Sequence, residues 1–151
     1  MSSRARSRFE RLRLRLRLRR RRSRVLVGID LAAVADVEES IGVHGGRYLS
    51  RVYTSRELRD CATSGGLPDA GRLAARFAAK EATMKVLRVG DEALPWQTIG
   101  VLSGPGGRPS LELTGAAGEL ARRRGIGSLD LSITHEGPFA AAIVVAALER
   151  P

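Results

Sequence analysis

One stretch of the chain, Arg76-Phe77-Ala78-Ala79-Lys80-Glu81-Ala82-Thr83-Met84-Lys85, gathers four charged side chains. On a helix, Arg76 and Lys80 are i, i+4 neighbours, as are Glu81 and Lys85, so one helix presents a carboxylate flanked by three cations. A second carboxylate, Asp30, closes an apolar run that begins at Val25. Such a set suits a polyphosphate ligand. A hard cation such as Mg²⁺ takes one or two protein carboxylates, here Asp30 and Glu81, and completes its shell with phosphate oxygens and water. Neighbouring cations then neutralise the remaining phosphate charge. The competing account is a solvated helix face with ion pairs of about 0.3–0.5 kcal/mol each.

Other chemistries find less support. His135 is expected at a strand end, where a loop exposes it, but a lone histidine there also fits a satisfied structural role; His44 lies in a loop and says less. Two histidines and one cysteine argue against zinc. The turn Gly104-Pro105-Gly106-Gly107-Arg108-Pro109 lacks the Lys-Ser/Thr of a P-loop. No Gly-x-Ser-x-Gly nucleophile elbow is present.

The elements that must position these residues follow from periodicity and punctuation. Val25 to Asp30 reads as a buried strand delivering Asp30 at its C-terminal end. Ala33 to Ile41 has helical spacing and a glycine stop at Gly42. Arg47 to Tyr53 reads as a helical turn or two. A short helix then runs through Cys61, capped by Thr54 or Ser55, with Glu57 near the N3 position of a capping box. Thr63 to Asp69 is a loop, and Gly71 to Val89 is the longest helix, ending before Gly90. Strands are expected at Thr98 to Leu102 and Ser110 to Leu113, a helix at Ala116 to Arg124, and two strands at Leu129 to Thr134 and Phe139 to Leu148. This mixture predicts an α+β fold with a long central helix on an antiparallel sheet.

Charge is partitioned sharply. The net charge of +10 suggests a nucleic-acid binder, yet residues 1–24 hold twelve Arg and one Glu, while the rest carries 14 basic and 15 acidic side chains. Two parts are expected: an arm over 1–24, disordered by itself because adjacent arginines repel, and one domain over 25–151, long enough for a core of its own. From Arg11 to Arg24 no aromatic residue interleaves the arginines, so bases find no stacking platform in that run. The longest apolar run, Phe139 to Leu148, is half of the roughly 20 residues of a membrane-spanning helix. A single thiol, Cys61, leaves no disulfide to form within the chain and fits a reducing cytoplasm. Of 26 basic residues only Lys80 and Lys85 are lysines, which makes both informative.

Four segments in order resemble one family. Val27-Gly28-Ile29-Asp30-Leu31 and the Arg76 to Lys85 stretch resemble the two signature motifs of the 4′-phosphopantetheinyl transferases, of the small holo-acyl-carrier-protein synthase type. Ser132-Ile133-Thr134-His135 followed by Phe139-Ala140-Ala141-Ala142 is similar to that group's C-terminal motif, and Gly107-Arg108-Pro109 to its Gly-Lys-Pro turn. The resemblance implies transfer of phosphopantetheine from coenzyme A to a serine of an acyl carrier protein, leaving 3′,5′-ADP. It implies Asp30 and Glu81 as Mg²⁺ ligands, Lys85 at the phosphate under attack, and Arg76, Lys80 and His135 holding coenzyme A. The general base is either Glu81 or a metal-held water. Such enzymes are usually homotrimers with active sites between subunits.

Two positions depart from the family pattern. Where a Glu and an Arg commonly stand three and six residues after the aspartate, this chain has Ala33 and Asp36. The arginine is expected to meet an acidic helix of the carrier, so Asp36 reverses the charge. This points to a dedicated carrier domain, as in polyketide or other secondary metabolism, or to docking through Arg47, Arg51 and Arg59. The rival reading is a degenerate homologue that binds nucleic acid or membrane through its arm.

Overall fold

A computed structural model describes residues 24–90 and 93–149. The Arg-rich arm, apart from Arg24, lies outside them. The described chain is α+β. Strand β1 (Val25–Ala33) is followed by helices α1 (Val34–His44), α2 (Gly46–Val52), α3 (Ser55–Asp60) and the long α4 (Ala70–Leu87). Then come β2 (Ile99–Ser103), β3 (Pro109–Leu113), helix α5 (Gly115–Arg123), β4 (Ile126–Glu136) and β5 (Phe139–Leu148). Strands β1, β5 and β4 form an antiparallel sheet in that order, and β2 pairs with β3 in a separate antiparallel ribbon.

Helix α4 lies on one face of the three-stranded sheet, and the contact is built from small residues. Ala75, Ala78, Ala79 and Ala82 of α4 are buried with Ala32 of β1 and Ala140, Ala142 and Ala146 of β5. Small side chains on both surfaces bring helix and sheet backbones close. The closest approach is at Gly28, where a Cβ atom would stand 2.0 Å from the Ala82 carbonyl oxygen. Glycine is the residue that permits this packing, two positions before Asp30.

The opposite face of the sheet is apolar and bare. Alternation along β1 sends Gly28 and Ala32 inward and leaves Ile29 and Leu31 each 64% exposed. Val27, Phe139 and Ile143 extend the same patch. Among the described residues no helix is long and apolar enough to cross a membrane.

Element boundaries differ from the sequence expectation in instructive ways. Gly42 does not stop α1, which runs to His44 and ends at Gly45, whose φ of 53° supplies the left-handed turn. Helix α4 ends at Leu87, two residues earlier than expected, because Arg88 adopts the left-handed conformation. Strand β4 is nearly twice the expected length, since cross-strand pairing with β5 continues to a tight turn at Gly137-Pro138. The Pro138 carbonyl in turn accepts from Val34 N, tying that turn to the start of α1.

Candidate active site

Strand β1 and helix α4 bring three of the expected residues together. Lys85 Nζ lies 2.8 Å from Asp30 Oδ1 and donates to the Ile29 carbonyl at 2.8 Å. Glu81, one helical turn before Lys85, shares their electrostatic environment. Burial raises its carboxyl pKa above the ordinary value, the negative charge of Asp30 raises it further, and Lys85 pulls the other way. Two carboxylates in mutual repulsion, held beside one cation, invite a further positive charge.

The other expected residues are distributed differently. Lys80 was expected among the ligands of coenzyme A, and its position corrects that expectation: it is fully buried, with no surface to offer a ligand. Its ammonium pairs with Glu57 Oε2 at 2.9 Å and donates to the carbonyls of Trp96 and Ile99. Three donors meet three acceptors. Desolvation lowers its pKa, opposed by the carboxylate of Glu57. The carboxylate flanked by three cations therefore resolves into one, Lys85, because residues 80 and 81 leave the helix about 100° apart and face different elements.

Arg76 turns toward the β2–β3 ribbon, where Nη2 donates to Ser103 Oγ at 2.7 Å. Its Nε is buried without a hydrogen-bond partner among the described residues, and Arg76 forms no ion pair there. A partly buried guanidinium without a counter-ion is an open invitation to an anion. His135 is exposed near the end of β4, in register with Ala140 and through it with Ala32. It thus shares the helix-covered face of the sheet with Asp30, but two strand spacings away, about 10 Å.

Ser103 and Glu57 went unrecognised as partners of these cations. Glu57 is visible in the sequence as a capping residue, and Thr54 does cap α3 with it; its ion pair with Lys80 spans 23 positions and leaves no local signal. A cavity of about 620 Å³, lined by Ser50, Arg51, Met84, Val89, Leu94 and Trp96 among others, opens one residue before Lys85 on α4. Trp96 stacks on Phe77 at 5.1 Å between ring centroids.

Among the described residues no group of three or more His, Cys, Asp or Glu side chains gathers as a metal cage. Two hard carboxylate donors are the protein's share of the shell of a cation such as Mg²⁺ that is otherwise completed by phosphate oxygens and water.

Comparison with known proteins places the chain in a family. The model of the 4′-phosphopantetheinyl transferase superfamily matches residues 26–144. The holo-[acyl-carrier-protein] synthase of Desulforudis audaxviator is 41% identical over 120 residues, covering 80% of this chain and 90% of the relative. That of Moorella thermoacetica is 42% identical over 118 residues, 78% of this chain and 90% of the relative. Among solved structures, the Chronobacterium ammoniagenes ACPS-CoA complex aligns with a TM-score of 0.71 at 30% identity, covering 83% of this chain and 98% of the other. Helicobacter pylori holo-[acyl-carrier-protein] synthase in complex with coenzyme A gives 0.70 at 29% identity, with 81% and 100% covered. With the match spanning nearly all of the described chain, this protein belongs to the 4′-phosphopantetheinyl transferase superfamily.

Proposed function

We propose that this protein transfers the 4′-phosphopantetheine group from coenzyme A to a serine hydroxyl of an acyl carrier protein, releasing 3′,5′-ADP, with Mg²⁺ required. The observation that carries the reading is the convergence of Asp30, Glu81 and Lys85 where β1 meets α4. Relatives named holo-[acyl-carrier-protein] synthase and solved complexes with coenzyme A support it.

Attack on a pyrophosphate needs positioning and charge neutralisation more than covalent catalysis. Asp30 and Glu81 would hold Mg²⁺, which supplies Lewis-acid stabilisation of charge developing on the phosphates. Lys85, hinged on a side chain half exposed to solvent, would turn from Asp30 to the phosphate under attack. Arg76, with its unsatisfied Nε, and His135 would bind other parts of coenzyme A. Lys80 takes no part in ligand contact. All these residues lie within 25–151, the segment we assign as the transferase domain.

We also propose a homotrimer. The exposed apolar face at Val27, Ile29, Leu31, Phe139 and Ile143 supports burial of that face between copies. Residues distant from Asp30 within one subunit, Arg76 and His135 among them, would then complete a neighbour's site. The lone, buried thiol of Cys61 fits a cytoplasmic setting.

The test is mass spectrometry of candidate carrier proteins after incubation with coenzyme A and Mg²⁺. A mass gain of one phosphopantetheine group is expected. Glu81→Ala should abolish it while circular dichroism shows an intact fold; full activity in that variant rejects the metal role.

A further inference from the structure

Glu57 is a fully buried carboxylate on which three elements meet. Its Oε2 accepts from Thr54 N at 2.7 Å and pairs with Lys80 of α4 at 2.9 Å; its Oε1 accepts from Val101 N of β2 at 3.1 Å. Lys80 gives its remaining protons to Trp96 and Ile99, at the entry to β2. A buried ion pair is weak evidence for stability, because well-packed apolar residues of equal volume often do as well or better. What this pair does specify is orientation. Lys80 is bound on three sides, so it fixes both the height and the rotation of α4 against β2, and the next residue on α4 is Glu81.

The magnitude decides whether that matters. Side-chain ends sit about 5–6 Å from a helix axis, so a rotation of about 20° shifts them by roughly 2 Å. Binding constellations tolerate only about 0.5 Å. We propose that Glu57 and Lys80 are positioning residues for the metal-binding edge of α4: clamped on β2 and α3, they set the direction in which Glu81 meets Asp30. The proposal rests on the reading of Asp30 and Glu81 as cation ligands.

The experiment titrates Mn²⁺ into the full chain with coenzyme A present, reading free Mn²⁺ by electron paramagnetic resonance, alongside steady-state kinetics. In Glu57→Gln/Lys80→Met the pair becomes neutral at near-constant volume, and the new amide can still pair with Val101 or Ile99. With the fold verified by circular dichroism, Mn²⁺ affinity should fall about 10-fold or more, as for other residues that orient metal ligands. The turnover number kcat should fall with it, and KM for coenzyme A should change much less. Wild-type Mn²⁺ affinity in that folded variant overturns the proposal. If the pair variant does not fold, Glu57→Asp decides, since it keeps the charge and draws the carboxylate back by one methylene; weaker Mn²⁺ binding supports the proposal and unchanged binding overturns it. Glu81→Gln separates the two layers: Mn²⁺ affinity unchanged in that variant defeats the metal reading itself.

Discussion

Lys85 Nζ sits 2.8 Å from Asp30 Oδ1, joining residues 55 positions apart in the sequence. The contact neutralises one of two carboxylates that would otherwise repel each other, and the lysine side chain remains 51% exposed. An exposed pair of this kind contributes about 0–1 kcal/mol to stability, so its value lies in chemistry. Lys85→Met should lower kcat by about 100-fold or more, the usual cost of removing one donor to transition-state charge. The melting temperature should barely move. Carrier loading and thermal melts on the same preparation check both halves, and an equal loss in both would mean that Lys85 is structural.

Gly28 has no room for a methyl group. The clash of a Cβ with the Ala82 carbonyl is with backbone, and Val86 Cγ2 stands at 2.9 Å on the same side. No rotamer relieves it, so β1 and α4 must separate. Gly28→Ala should destabilise the fold by about 1–3 kcal/mol, the range for overpacking, and lower transfer activity by moving Asp30 away from Glu81. Chemical denaturation against wild type measures the first effect. A fully stable Gly28→Ala protein would contradict the packing.

Alkaline pH should unfold this protein through two buried acids. Burial raises the Cys61 thiol above its ordinary 9.0, and burial together with the hydrogen bond to Tyr48 raises Tyr53 above its ordinary 10.0. Both stay protonated in the native state where the unfolded chain has lost the proton. Their stabilisation is complete below pH 9 and is lost as pH rises beyond 9 and 10, at up to about 1.4 kcal/mol per pH unit for each group. Lys80, lowered by burial, acts in the opposite sense, so the clean comparison is by variant. Tyr53→Phe loses the hydrogen bond to the Leu73 carbonyl, about 1 kcal/mol at neutral pH, yet should flatten the decline above pH 10. Urea midpoints between pH 7 and 11 test it, and parallel curves for the two proteins would count against the tyrosine.

What the sequence disclosed depended on range. Asp30, Glu81 and Lys85 were legible because an apolar run and a long helical pattern set them on one strand and one helix, although β1 continues past Asp30 to Ala33, and the capping box at Thr54 and Glu57 is a four-residue pattern. The position of Lys80 was misjudged for the opposite reason. Burial is decided by elements that meet it from positions 57, 96 and 99, and i, i+4 spacing along α4 carries no information about them. The exposed sheet face was similarly hidden, since Val25 to Asp30 reads as one continuous buried strand, whereas Val27 and Ile29 within it are exposed.

That exposed face yields an assembly prediction. A charge placed on Ile29, which is 64% exposed in one chain, costs little in a monomer and several kcal/mol in a dry interface. Ile29→Asp should therefore keep its circular dichroism spectrum and shift the sedimentation coefficient from trimer to monomer, with loss of transfer activity. A trimer that survives the substitution would place the interface elsewhere.

The choice of carrier turns on surface charge that is divided between adjacent helices. Asp36, Glu38 and Glu39 are exposed on α1, whereas Arg47 and Arg51 are exposed one turn apart on α2. Asp36 lies in the first turn of its helix, where an acid contributes about 0.3–1 kcal/mol, so Asp36→Arg costs little stability. If α1 meets the carrier, the substitution should speed loading of a carrier with an acidic docking surface and steepen its salt dependence, because complementary charge acts mainly on association rate. If α2 is the docking edge, Arg47→Ala/Arg51→Ala should slow the same carrier and Asp36→Arg should leave its rate within experimental error. Measuring kcat/KM for both variants at two salt concentrations decides between the helices, and an unchanged carrier preference after Asp36→Arg removes the charge-reversal argument.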